Sequence, residues 1–255
     1  MGNCVFGRTN RLDAGTLSAS SEALAVANLR ADQADTASSW QASTTTPWLR
    51  LDAGSPVTAR AVGLFRTNLT TAATVTVRAG TTAGASDVAL LSAATGVVAG
   101  VGQWVGWFPS LVTARHWEIA IADTGNTDGF IRVGLAFLGP VFQPTRNFSY
   151  RSTRGRERQV LRAQARGGQV YPRVDWRRRV RTVDLPLLTA TEAAGELEQL
   201  TAWADQARNL LFIPDPDDAS RHAEAIYGTA EVEAVEFAGQ SPAWRRTAIT
   251  LTERL

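Results

Sequence analysis

Over residues 1–142 the apolar side chains come in short runs, each broken by Gly, Thr, Ser or Asn before a helical period can establish itself. A strand alternates its side chains between two faces and a helix repeats every 3.6 residues, so this pattern restricts the segment to β-structure. The runs fall at 48–52, 61–67, 74–79, 104–108, 117–122 and 130–138. In the first, Leu49 and Leu51 alternate with Arg50 and Asp52, as a half-buried strand requires. In the fifth, Trp117, Ile119 and Ile121 share one face. Strands at this spacing with no long helix between them predict a sandwich or jelly roll.

The pattern changes at 138–144, where Pro140 and Pro144 interrupt it. The expected division is therefore 1–142 and 143–255, two domains each long enough to bury a core. The second domain opens with a run of arginines: 151–181 holds eleven Arg against Glu157 and Asp175. Gly167-Gly168 inside it reads as the turn of a long hairpin. One helix is predicted at about 190–208, from a capping box of Thr189 and Glu192 followed by Ala193, Leu197, Leu200, Ala204 and Ala207 at helical spacing. Strands are expected at 210–213, 230–237 and 243–252, which makes this half α+β.

Composition limits the chemistry. Cys4 is the only cysteine, so neither an internal disulfide nor a thiolate cluster is available. No apolar run approaches the ~18 residues of a membrane span, and the start lacks the pattern of a signal peptide. No motif of a hydrolase, metalloprotease, P-loop or dinucleotide-binding site is present, so no enzyme and no cofactor are expected. All 26 basic residues are Arg, a bias that a GC-rich genome explains without function.

Four sets of residues are candidates. Asp123, Asn126 and Asp128 put oxygen atoms on a turn, a weak candidate Ca²⁺ site; a tight turn selects the same residues, and the expectation is no metal. Trp104 and Trp107 are candidate ligand-facing aromatics, with core packing as the plainer role for the sandwich tryptophans. Arg177, Arg178, Arg179 and Arg181 form the densest basic stretch. Asp215, Asp217, Asp218, Glu231 and Glu233 form an acidic one in the same expected domain. A basic arm and an acidic edge in one domain predict head-to-tail pairing between subunits that closes into a ring. Nucleic acid is set aside for that reason, and a solvated basic face remains the plain alternative.

The first half resembles the discoidin (coagulation factor 5/8 type C) family as found in phage structural proteins. The resemblance runs through Asn28-Leu29, Ser39-Trp40, Trp48-Leu49-Arg50-Leu51-Asp52, Phe65-Arg66-Thr67-Asn68 and Ala114-Arg115-His116-Trp117-Glu118-Ile119, and continues through 123–134. The second half resembles tail-tube and distal-tail proteins, in Leu185-Pro186-Leu187-Leu188-Thr189, the helix, Phe212-Ile213-Pro214-Asp215, Ile226-Tyr227-Gly228 and the closing strand to Leu255. Together these imply a mainly β chain: a discoidin-like jelly-roll sandwich followed by a tail-tube-like β-sandwich with one flanking helix. The implied function is a structural component of a phage tail tip or baseplate, in the virion after synthesis in the bacterial cytoplasm. Its partners would be copies of itself in a ring and other tail proteins. The alternative is a carbohydrate-binding module that attaches the particle to a host glycan.

Overall fold

The computed structural model describes residues 2–33, 35, 37–82, 88–238 and 243–254, and Leu255 lies outside them. The chain is mainly β and divides into two units. In chain order the strands are β1 (Val5–Gly7), β2 (Thr16–Ala19), β3 (Trp40–Gln41), β4 (Trp48–Phe65), β5 (Thr74–Gly80), β6 (Val88–Ala94), β7 (Gln103–Ala122), β8 (Arg132–Val133), β9 (Leu135–Gly139), β10 (Thr153–Gln164), β11 (Val170–Thr189), β12 (Leu210–Ile213), β13 (Ile226–Val232), β14 (Glu236–Phe237) and β15 (Trp244–Glu253).

The first unit, Met1–Pro144 with Leu211–Ala225, is a β-sandwich built on the antiparallel pair β4 and β7. Residues 48–52 and 61–65 belong to one strand, and so do 104–108 and 117–122; the sequence breaks between them are ladder irregularities at Asp52/Val57 and Ala59/Ala61. β2 pairs with the first part of β4 and β9 with its last part, while β5 pairs with the end of β7 and β6 with β5. The expected strand at 130–138 is split into β8, which pairs with β3, and β9. Alternation puts Leu49, Leu51, Val75, Val77, Trp117, Ile119 and Ile121 into one core with Trp40, Trp104 and Phe108.

Residues 211–225 belong to this unit, whereas the sequence pattern assigns them to the second domain. The cause is a pairing of distant segments that local patterning does not register. β1 pairs with Leu211–Ile213, and the buried rings of Phe6 and Phe212 lie 5.1 Å apart. A short helix, α3 (Arg221–Glu224), then seats His222 against β7. Its Nδ1 accepts the Val105 N–H at 3.2 Å, and Gln103 Nε2 donates to the His222 carbonyl at 2.7 Å. Gly96 makes room for the ring: a Cβ there would lie 2.3 Å from His222 Nε2, and its φ of +128° disfavours other residues.

The second unit is Thr145–Leu210 with Ile226–Arg254. Its strands run β10-β11-β15-β13, with β14 also on β15. Val183 and Leu185 on β11, and Ile249 and Leu251 on β15, are fully buried at alternate positions. The capping box forms as expected, with Thr189 Oγ1 accepting from Glu192 N at 3.1 Å and Glu192 Oε2 accepting from Thr189 N at 2.8 Å. The helical segment comprises α1 (Ala190–Glu192), a π-helical turn at Ala193–Leu197 and α2 (Glu198–Ala204). It ends short of 208: Ala207, expected on the apolar face, is exposed with φ +54°.

His222 titrates with a stability consequence. Burial pushes its pKa down from 6.5 to about 4, assisted by the nearby Arg221 charge. The unfolded chain protonates near 6.5 and the folded one near 4, so the stability is present above pH 6.5 and lost as pH falls toward 4. We expect a loss of about 2–3 kcal/mol across that window. Denaturant melts of the wild type against His222→Asn, whose amide oxygen replaces Nδ1 without titrating, check this. An equally steep acid loss in both proteins would exclude His222 as the cause.

Candidate functional site

In the first unit the turn of Asp123, Asn126 and Asp128, the weak Ca²⁺ candidate, is a closed hydrogen-bond network. Asp123 is buried, and its carboxylate accepts from Thr70 N at 2.9 Å, from Thr70 Oγ1, and from Asn126 Nδ2 at 3.1 Å. Asn68 Nδ2 donates to Asp128 Oδ2 at 2.8 Å and to the Phe130 carbonyl at 2.9 Å, while Asn68 Oδ1 accepts from Arg132 N at 2.8 Å. These bonds tie the loop after β4 to the loop after β7. The Asp123 oxygens are thereby used by protein donors, and among the described residues no three His, Cys, Asp or Glu side chains gather as a metal site.

Trp104 is fully buried, which removes it as a candidate ligand-facing aromatic and gives it the plainer role of core packing. Its indole N–H donates to the Thr95 carbonyl at 3.3 Å, and its ring lies against His222 at 6.2 Å. Trp107 is half-buried, with the Arg60 guanidinium 4.4 Å over its ring. Trp48 is likewise half-buried, and Arg50 lies 4.0 Å over it. Arg50 also faces Glu118 across the ladder at 2.7 Å, and Arg78 on β5 approaches the same carboxylate at 3.2 Å. This row, directly opposite on three neighbouring strands, lies on the face away from the core. Nearby, hydrogen bonds from Arg115 and the Gly54 N–H hold the Asp52 carboxyl well below the usual range.

The interface candidates are distributed differently from expectation. Asp215, Asp217 and Asp218 lie in the first unit, so they are not an edge of the arginine-bearing unit; Glu231 and Glu233 are in the second unit and exposed. Asp215 Oδ1 accepts from Gly2 N at 2.9 Å, and Asp218 Oδ1 from Ser220 N at 2.6 Å. Arg178 pairs with Glu157 at 2.7 Å, and Arg179 pairs with Glu253 at 2.7 Å. Arg181 lies 5.8 Å over Phe148, and Arg177 is exposed.

Arg177, Arg178 and Arg179 stand on a two-stranded arm, and Arg181 lies at its base where β11 also pairs with β15. β10 and β11 pair along their length, but β15 begins to pair with β11 only at Val180. Beyond that point no third strand pairs with the ribbon among the described residues, and it extends about 30 Å at ~3.4 Å per residue. The turn comes where predicted, with Gly168 at φ +83°. Register and alternation sort the two faces. One bears Arg154↔Arg181, Arg156↔Arg179 and Arg158↔Arg177 opposite one another. The other bears Glu157↔Arg178, Gln159↔Trp176 and Ala163↔Tyr171, with Leu161 beside them. The sequence reading concentrated on 177–181 and passed over Arg154, Arg156 and Arg158. Their i, i+2 spacing is the signal that places them on one strand face.

No protein-family model matches the chain, and no curated protein matches it. Solved structures do. The lectin domain of lectinolysin in complex with Lewis b antigen is 15% identical with a TM-score of 0.41, covering 52% of this chain and 97% of that one. The family 32 carbohydrate-binding module of NanJ from C. perfringens, in complex with galactose, is 12% identical with a TM-score of 0.42, covering 52% and 98%. A fucolectin from striped bass (Morone saxatilis) is 15% identical with a TM-score of 0.42, covering 59% of this chain and 55% of that one. At this level of likeness, ligands have to be argued from this chain's own residues.

The Asp123 network supplies a test of the loop. Asp123→Ala leaves the Thr70 N–H, the Thr70 hydroxyl and the Asn126 amide without their acceptor, and we expect it to cost about 2–3 kcal/mol. Asp128→Asn, at an exposed position, should cost less than about 1 kcal/mol. Thermal melts of both variants, with and without added Ca²⁺, check the assignment. A wild-type Tm that rises with Ca²⁺ and falls in EDTA would return the turn to a metal site.

Proposed function

We propose that this chain is a non-catalytic attachment and assembly protein, with a ligand-binding sandwich in its first unit and a self-docking arm in its second. For the sandwich the preferred ligand class is a saccharide. The solved structures named above include complexes with Lewis b antigen and galactose. On this chain the residues that support the reading are Trp48, Arg50 and Arg78 on the face away from the core, with the buried Glu118 holding both guanidinium groups. A half-exposed indole offers an apolar edge to sugar C–H groups. The two guanidinium groups beside it are held in place by Glu118 as donors for hydroxyls.

The second reading, a ring-forming component of a phage tail tip or baseplate carried in the virion, is favoured by one observation: the arm. An isolated two-stranded ribbon is marginal in water, and this one leaves Leu161 and Tyr171 47% and 60% exposed on one face. Covering that face with a second copy of the chain would shield the apolar side chains and order the ribbon. The two readings are compatible, since an arm that clusters the chains also multiplies sandwich-borne binding sites.

Two measurements test the proposal. Leu161→Ser with Tyr171→Ser should convert oligomers to folded monomers in sedimentation equilibrium; a wild type that is monomeric at high concentration would sink the docking half. On a glycan array, Trp48→Ala should lower any wild-type signal at least about tenfold, which is about 1.4 kcal/mol. A signal unchanged by that substitution would move the saccharide away from this face.

A further inference from the structure

We infer that the arginine face of the β10–β11 arm binds the phosphodiester backbone of a nucleic acid. Like charges directly opposite one another in an antiparallel pair destabilise it, yet this face carries three such rungs at alternate positions: Arg154↔Arg181, Arg156↔Arg179 and Arg158↔Arg177. Arg179 is neutralised by Glu253. The side chains of Arg156, Arg158 and Arg177 meet no hydrogen-bond or ion-pair partner among the described residues. At the paired positions from 154 to 164 and from 170 to 181 this face carries no acidic residue; Asp175, left unpaired at the register shift, is the one acid in these stretches besides Glu157 of the other face. Arg162 continues the stripe toward the tip, opposite Pro172.

The geometry suits a linear polyanion. Arginines at i and i+2 of a strand are about 6.7 Å apart, so Arg154, Arg156 and Arg158 with their partners form a three-rung ladder of guanidinium groups at regular steps. Duplex DNA carries one phosphate per ~3.4 Å of helix axis on each strand, so a row of cations laid against it meets a dense row of anions. Two-stranded ribbons are narrow enough to lie in or along a groove. Guanidinium groups also present paired donors to phosphate oxygens. The objection raised by the sequence, that the same domain carries an acidic edge to receive the arm, is weaker in the structure. Asp215, Asp217 and Asp218 belong to the other unit. This face is also distinct from the one bearing Leu161 and Tyr171, so the inference does not rest on the docking reading.

The test uses the full chain, a labelled duplex of about 30 base pairs and fluorescence anisotropy at several salt concentrations. Binding without sequence preference is expected, at a Kd of about 10⁻⁴–10⁻⁶ M near physiological salt. Arg156→Gln, Arg158→Gln and Arg177→Gln combined should make the slope of log K against log salt shallower by about 2–3, since each lost phosphate contact removes about 0.9. The same variant should melt no lower than the wild type, because it removes like-charge rungs. A control with the same charge loss outside the arm, Arg66→Gln, Arg208→Gln and Arg246→Gln, should keep the wild-type slope. Equal loss in both variants would reduce the effect to net charge and overturn the inference. So would a wild type that does not bind DNA at about 50 mM salt, where such contacts are strongest. If the arm variant instead loses its oligomers and keeps its DNA affinity, the face belongs to an acidic surface of a second copy and the inference falls.

Discussion

The ladder between β4 and β7 is the constraint on which the first unit depends. It brings residues 48–65 and 103–122 together along their whole length, and β2, β5 and β9 are positioned by pairing with one part or another of it. Its two irregularities allow one continuous pair of strands to serve different parts of the sandwich, because extra residues locally bend and twist a ladder. The rings of Phe108, in the stretch of β7 left unpaired at the second break, and Trp117, beyond the first, stack at 6.2 Å inside the core. Parity along the same strands then decides what faces out. With Leu49, Leu51, Trp117 and Ile119 buried, Arg50 and Glu118 must point the other way, and the outward charged row follows from the inward apolar one.

The same rule of alternation governs the arm, where it has no core to serve. Near its base β11 buries Val183 and Leu185 and is held by β15. Farther out, among the described residues, both faces are largely exposed: one bears the opposed arginines and, past the register shift, Val160, Val174 and Val170, and the other bears a mixed apolar and polar set with Arg173 opposite Leu161. Cross-strand partners such as Glu157 with Arg178 and Gln159 with Trp176 stabilise the second face, each by about 0.2–1 kcal/mol. The first face is destabilised by its own charges. A ribbon divided in this way presents two chemically different surfaces, which is why self-docking and polyanion binding can be assigned to the same arm without competing for the same side chains.

Much of this was legible from period alone. The alternation in 48–52 and 117–122, the turn at Gly167-Gly168, and the Thr189–Glu192 cap are local signals, and each element formed where its signal lay. What was not legible depends on pairing at a distance. Nothing near Leu211–Ile213 indicates that its partner is Val5–Gly7, so the boundary at 142 missed a return of the chain. Trp104 and Trp107 look alike in sequence, and three residues apart on a strand they fall on opposite faces; only the packing around them shows that Trp104 is the buried one. The Asp123 turn was identifiable as a turn, but its partners Asn68 and Thr70 are more than 50 residues away.

The handling of arginine across the chain gives the arm its meaning. A compositional bias that replaces every lysine raises the number of arginines everywhere and cannot choose their neighbours. Elsewhere the neighbours are specific. Arg50 and Arg78 share Glu118, Arg115 meets Asp52, and Arg179 meets Glu253. Other guanidinium groups lie over rings: Arg60 over Trp107, Arg208 over Trp203 and Arg245 over Phe237. Each arrangement reduces the cost of holding a cation near other protein atoms, by pairing or by the attraction of a ring face. Arg156, Arg158 and Arg177 have neither and are set opposite other arginines. Bias explains why these residues are arginine rather than lysine. It does not explain three opposed arginine pairs with the periodicity of a strand, and a binding role for that face accounts for the charge repulsion that the ribbon tolerates.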